Sequence, residues 1–100
     1  MDLGVTLHLT DRSIDVRDLA TEAEARGFSS LWGPEHPHIP PSRNTPAPSV
    51  TEAPEVYPRS PDPWVSLAAA AAVTDRIRLG SGVSLVAQHD PLILAKVVAS

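Results

Sequence analysis

The stretch Ala25-Arg26-Gly27-Phe28-Ser29-Ser30-Leu31-Trp32-Gly33-Pro34-Glu35-His36 decides how this chain of 100 residues folds. A helical segment closes at Gly27, a short apolar run follows, and the run ends in a proline, an acid and a histidine. That is the order of a helix feeding a buried parallel strand, with polar groups delivered at the strand's C-terminal end. In α/β proteins this end of the sheet is where ligands bind. Gly27 suits the position just beyond a helix, because a left-handed conformation there costs glycine little.

Toward the N-terminus, Val16, Leu19, Ala20, Ala23 and Gly27 recur at helical spacing and share one face. Ser13 or Asp15 can cap this helix, with Asp18 near its positive end. Leu3, Val5 and Leu7 alternate with smaller or polar residues and read as strand one, and strand two covers Phe28 to Gly33. The span from Pro34 to Pro63 differs in kind: it holds all but one of the eleven prolines, and no period survives in it. A loop of about 30 residues is uncommon inside a compact domain and usually means function or disorder. Its start at the end of strand two favours function. Regularity resumes at Asp62-Pro63-Trp64, an N-cap followed by proline at the first helical position. Leu67 to Val73 continues that helix and Thr74-Asp75-Arg76 closes it. Ile77, Leu79, Val83 and Leu85 read as strand three, interrupted by Gly80-Ser81-Gly82. Asp90-Pro91 then repeats the cap signal ahead of a helix from Leu92 to Ala99.

The order β-α-β-loop-α-β-α places the chain in the α/β class, with right-handed βαβ units on a parallel sheet. Three parallel strands leave two edges unpaired. A barrel of eight such units runs to about 250 residues, so this chain amounts to roughly three eighths of one. The expectation is the first three βα units of a (β/α)8 TIM-type barrel. They form one partial domain over residues 1–100 with a Pro-rich rim loop over 34–63. A self-contained three-layer sandwich is the alternative. In the barrel reading the edges are covered by a homo-oligomeric partner or by the missing remainder of the barrel.

Composition narrows the function classes. The formal net charge of −4 gives no pull toward nucleic acid or an anionic membrane. The absence of cysteine excludes disulfides, thiolate metal sites and cysteine nucleophiles, and makes a reducing cytoplasm the default location. No signal peptide is visible at the N-terminus. The longest weakly polar stretch, Val65 to Val73, falls well short of the roughly 20 residues a membrane helix needs. Aromatics make up only 4% of the chain, so its core is expected to be aliphatic and alanine-rich.

Candidate chemistry gathers at the strand ends. His8 ends strand one, His36 and His38 follow strand two, and His89 follows strand three, so all four would share the catalytic rim. A histidine near neutral pKa can act as acid or base, or bind a metal. Glu35 can orient His36 or help hold a ligand. Trp32 and Trp64 can wall a flat ring, although core packing suits Trp64 better. Tyr57 can cover a substrate or anchor the proline-rich loop. Gly80-Ser81-Gly82-Val83 marks a bulge or a close backbone approach to a ligand. It is neither a dinucleotide fingerprint nor a P-loop.

Three segments carry a family resemblance: Ala23 to His36, Asp62 to Thr74, and Arg78 to Val83. Together, in this order and spacing, they resemble the N-terminal part of luciferase-like monooxygenases, most closely the coenzyme F420-dependent branch. The resemblance covers nearly the whole chain. It implies a (β/α)8 barrel that binds a deazaflavin, or alternatively FMN, at its C-terminal rim, and hydride transfer to or from a small organic substrate. It also implies roles. Glu35 and His36 match the acid–histidine pair at the end of strand two, with His36 as acid/base partner. Gly82-Val83 matches the strand-three bulge, often a non-prolyl cis peptide, that backs the ring, and Ser81, Trp32 and His8 would complete the cofactor site. Family members continue for about two more thirds of a barrel, including the parts that hold the cofactor's phosphate tail, so the expectation is a truncated segment in which no basic cluster replaces those parts, the arginines being scattered. No metal is expected. Two further readings stand beside this one. A metal-dependent TIM-barrel hydrolase segment would draw ligands from Glu35, His36 and His38. A non-catalytic module would oligomerise through its open strand edges and alanine-rich helix.

Overall fold

A computed structural model describes residues 1–39 and 56–100. Strands β1 (Gly4–Thr6), β2 (Ser30–Gly33) and β3 (Arg78–Ser81) alternate with helices α1 (Val16–Ala25), α2 (Pro63–Ala71) and α3 (Pro91–Val98). Short 3-10 turns span Tyr57–Arg59 and Val86–Gln88. The strands are parallel with β2 in the centre. Gly4, Ser30 and Arg78 stand in one register row, and Thr6, Trp32 and Gly80 in another. The protein is thus α/β, in an arrangement compatible with the opening units of a TIM-type barrel. Residues 40–55 of the expected rim loop lie outside the described residues.

Each helix starts where its cap residue dictates. Asp15 accepts from the Arg17 amide, Asp62 from those of Trp64 and Val65, and Asp90 from those of Leu92 and Ile93. Each carboxylate thereby satisfies amides that have no partner inside the helix. Of the two candidate caps for α1, Asp15 does the capping, while Ser13 Oγ accepts from the Thr10 amide in the turn before it. Helix α1 ends at Gly27, whose φ of 82° lets the Phe28 amide turn back to the Ala23 carbonyl at 3.0 Å.

The core lies between the sheet and the two helices α1 and α2. Ala20 and Ala23 of α1, Ala70 of α2, Leu31 of β2 and Ile77 are buried, with Val5, Val16, Leu19, Phe28 and Leu79 packed around them. Alanine at the contact positions lets the two helices lie close, so this core is aliphatic and alanine-rich as composition indicated. A polar link ties α1 to the turn before β3. The Glu24 carboxylate accepts from the amides of Asp75 at 3.1 Å, Arg76 at 2.6 Å and Ile77 at 2.8 Å. Among the described residues, no helix is long and apolar enough to cross a membrane.

The strand extents differ from the sequence expectation, with β1 confined to Gly4–Thr6 inside the expected Leu3–Leu7. Strand β2 begins at Ser30, not Phe28, because the Phe28 amide is used in closing α1. Strand β3 ends at Ser81 and does not run on through Val83 and Leu85. After Gly33, the neighbouring chain continues with Pro34, which has no N–H to extend a ladder. The Leu85 amide turns to a side chain described below.

Candidate functional site at the C-terminal edge of the sheet

Strand alternation sorts the side chains of β2 onto two faces. Leu31 points to the helices and is 2% exposed, whereas Trp32 points to the opposite face and is 42% exposed. The indole Nε1 donates to Ser30 Oγ at 2.9 Å, one step back along the same face. Across the register row lies Gly80, where a β-carbon would meet Trp32 Cζ3 at 2.5 Å. Only glycine leaves the ring room to lie over β3. Ser81, paired with Gly33, belongs by the same alternation to the helix-facing side, so what it offers the rim is its backbone.

Beyond β3 the chain forms a shelf. The Gly82 amide donates to the Gly33 carbonyl at 2.8 Å, and the Gly82–Val83 peptide bond is cis, in agreement with the resemblance. Val83 is 72% exposed.

His8, after β1, and His36, after β2, come together. Their rings stack with centroids 5.0 Å apart and planes 11° from parallel. Tyr57 packs edge-on against both, at 5.1 Å from His8 and 4.6 Å from His36. His8 Nε2 also shares a 2.5 Å hydrogen bond with Ser60 Oγ. Burial lowers the His8 pKa from its ordinary value, and the neighbouring His36 lowers it further. Glu35, His36 and Ser60 line a cleft of about 200 Å³ with the prolines around them.

The expected pairing of Glu35 with His36 is not what forms. Glu35 is 5% exposed. Its Oε2 accepts from the Leu85 amide at 2.6 Å and from Ser84 Oγ at 3.1 Å, and its Oε1 accepts from His89 Nε2 at 2.5 Å. A chain leaving a strand sends neighbouring side chains to opposite sides. His36 therefore joins His8 while Glu35 reaches toward the turn after β3. Burial pushes the Glu35 pKa up, but the Leu85 amide, His89 and Ser84 together outweigh it and hold the carboxyl below its ordinary range. His89 thus belongs to the rim through Glu35. The signal for it in the sequence was its place just past the end of the neighbouring parallel strand. His38 is exposed and Trp64 is half-buried. The Trp64 indole Nε1 is a buried donor without a partner among the described residues. Among the described residues, no three His, Cys, Asp or Glu side chains form a group able to hold a metal ion.

Comparison with known proteins gives the context for this rim. The family model described as luciferase-like monooxygenase matches residues 3–100. Uncharacterized proteins of Mycobacterium tuberculosis and Mycobacterium bovis are 45% identical to the chain over 103 residues, which is 100% of the chain and 36% of each relative. The chain therefore spans little more than a third of the length of these curated relatives. No solved structure matches it.

Proposed function

Because the chain belongs to the luciferase-like monooxygenase family, we propose that it forms the ring-binding arc of an oxidoreductase site, using coenzyme F420 or, as the alternative, FMN. Members of the family use flavin or deazaflavin cofactors. When bound, such a ring accepts or delivers the hydride, and the protein supplies orientation and electrostatics. The proposed substrate is a small organic molecule, and the lack of cysteine suits a reducing cytoplasm.

The residues present fit the ring. Trp32 offers a half-exposed flat face beside the exposed Gly82–Val83 shelf. Flat heteroaromatic groups favour such mostly apolar walls with a few polar groups placed around them. His36 is the acid/base candidate. His36 lies at the end of β2 with its ring stacked on that of His8, and an imidazole at this rim can hold or release a proton. Tyr57 and Ser60 fix the orientation of the pair. The fit stops at the ring. Arg17, Arg26, Arg59 and Arg78 are engaged with Asp15, Glu22, Asp11 and Asp2, so these four do not gather around an anion. A metal-dependent hydrolase finds no support in this geometry, because Glu35 already spends both oxygens on Leu85, Ser84 and His89.

The observation that carries this reading is the stacked His8–His36 pair, held by Tyr57 at the same sheet edge as the half-exposed Trp32. It is tested by titrating the purified chain with coenzyme F420, FMN and phosphate-free riboflavin while following ring fluorescence. Saturable binding is expected, weakened by Trp32→Ala, with FMN and riboflavin binding alike because Arg17, Arg26, Arg59 and Arg78 are each paired with a carboxylate of the chain. Absence of binding by every ring, or indifference to Trp32→Ala, overturns it.

A further inference from the structure

We infer that Glu35 is a positioning residue: with His89 and Ser84 it forms a buried strut that holds the Gly82–Val83 shelf against the end of β2. The inference rests on the proposed ring site and assigns that site a support.

Three observations carry it. The Glu35 side chain is 2% exposed and both its carboxylate oxygens are engaged within the protein, so neither is offered to a ligand in the cleft that the residue helps to line. Its two oxygens fasten both flanks of the 3-10 turn at Val86–Gln88: Ser84 and Leu85 before it, and His89 after it. The turn closes on itself through Gln88 N to Leu85 O at 2.8 Å and His89 N to Val86 O at 3.2 Å, so fixing its flanks fixes it as a unit. The third observation is what the shelf lacks. Gly82 and Val83 are exposed and lie outside the buried core. Their attachments lie at the two ends: the Gly82 amide on the Gly33 carbonyl, and Leu85 on Glu35. Both attachments lead to the end of β2, to Gly33 and to Glu35 two residues on. The wall that Trp32 and Val83 present thus depends on a carboxylate that faces neither. The carboxylate can only accept, so His89 serves the strut by donating from Nε2.

A lost hydrogen bond to a buried carboxylate is a large perturbation at a site whose binding depends on a fixed wall. The test uses His89→Ala, His89→Gln and Glu35→Gln in the 100-residue chain. Ring binding is read with riboflavin, and amide hydrogen exchange at Gly82 and Leu85 is read by NMR. Glutamine at position 89 keeps a side-chain N–H donor. The expected result is about tenfold weaker riboflavin binding for His89→Ala, largely restored in His89→Gln, with faster exchange at Gly82 although no substituted atom touches it. Should Glu35→Gln unfold the chain, the His89 pair decides alone. If the parent chain binds riboflavin and His89→Ala binds equally well, the strut is overturned while the ring site stands. If the parent chain binds no ring, the ring site is overturned, and Gly82 exchange decides the strut. Faster exchange in His89→Ala upholds its hold on the shelf, and unchanged exchange overturns it.

Discussion

His8 shows how much a single side chain at this rim is set by its surroundings. Its ring is partly buried, stacked on another imidazole and hydrogen-bonded to Ser60. Charging it would strip water from an ion and place it against a ring that also accepts protons. Both effects lower its pKa, burial more than the neighbour. The sign for stability follows. Just below the ordinary histidine value the unfolded chain binds a proton that the folded chain refuses. The contribution of His8 is therefore complete above that range and is lost as the pH falls through the folded value. In an NMR titration His8 is expected to change charge below 6.5, the ordinary value, and His36→Ala is expected to move it only part of the way back, because burial remains. A return to the full ordinary value would mean that the stack, not burial, controls it.

At the scale of elements, the folding signals in the sequence are mostly local. The Asp62-Pro63 and Asp90-Pro91 pairs start helices, Gly27 stops one, and the period of Val16, Leu19, Ala20 and Ala23 marks the face that becomes core. What the sequence does not display is long-range and polar. Nothing near Glu35 names His89, 54 positions away, and nothing near Glu24 names the amides of Asp75, Arg76 and Ile77. Strand ends are hidden for the same reason, because β3 stops where Leu85 finds a carboxylate in place of a strand. The Glu24 link gives a measurable case. The amides of Arg76 and then Ile77 hold its pKa below the ordinary carboxylate range against the opposing effect of burial. Its stabilisation is therefore present at neutral pH and fades as acid protonates the carboxylate in the folded chain. Glu24→Gln is expected to lower the urea midpoint at neutral pH by more than Glu22→Gln, which removes only an exposed ion pair with Arg26. The gap between Glu24→Gln and the parent should close in acid. Equal losses for the two variants would show that the amide link does not join α1 to β3 energetically.

At the scale of the whole molecule, the sheet covers one face with α1 and α2 and leaves α3 nearly bare. Leu92 is 82% exposed, Ile93 66% and Val98 59%, and Val86 ahead of the helix is 60% exposed. Strands β1 and β3 are both edges, with backbone groups facing outward. In a closed barrel of this class a helix following a strand packs over that strand and the next. Here the curated relatives are longer than this chain, which matches 36% of each. An apolar patch of this kind on a separate chain drives association. Purified alone, the chain is expected to self-associate, with α3 of one copy against a second copy in place of a further βα unit. Sedimentation velocity over a concentration series reads this directly. The double variant Leu92→Glu, Ile93→Lys is expected to shift the distribution to monomer without changing the far-ultraviolet circular dichroism, since neither residue belongs to the core. If the parent chain sediments as a monomer at every concentration, the exposed face of α3 does not drive association. If the double variant still associates, the contact runs along the strand edges, and substitution at β1 or β3 is where it would break.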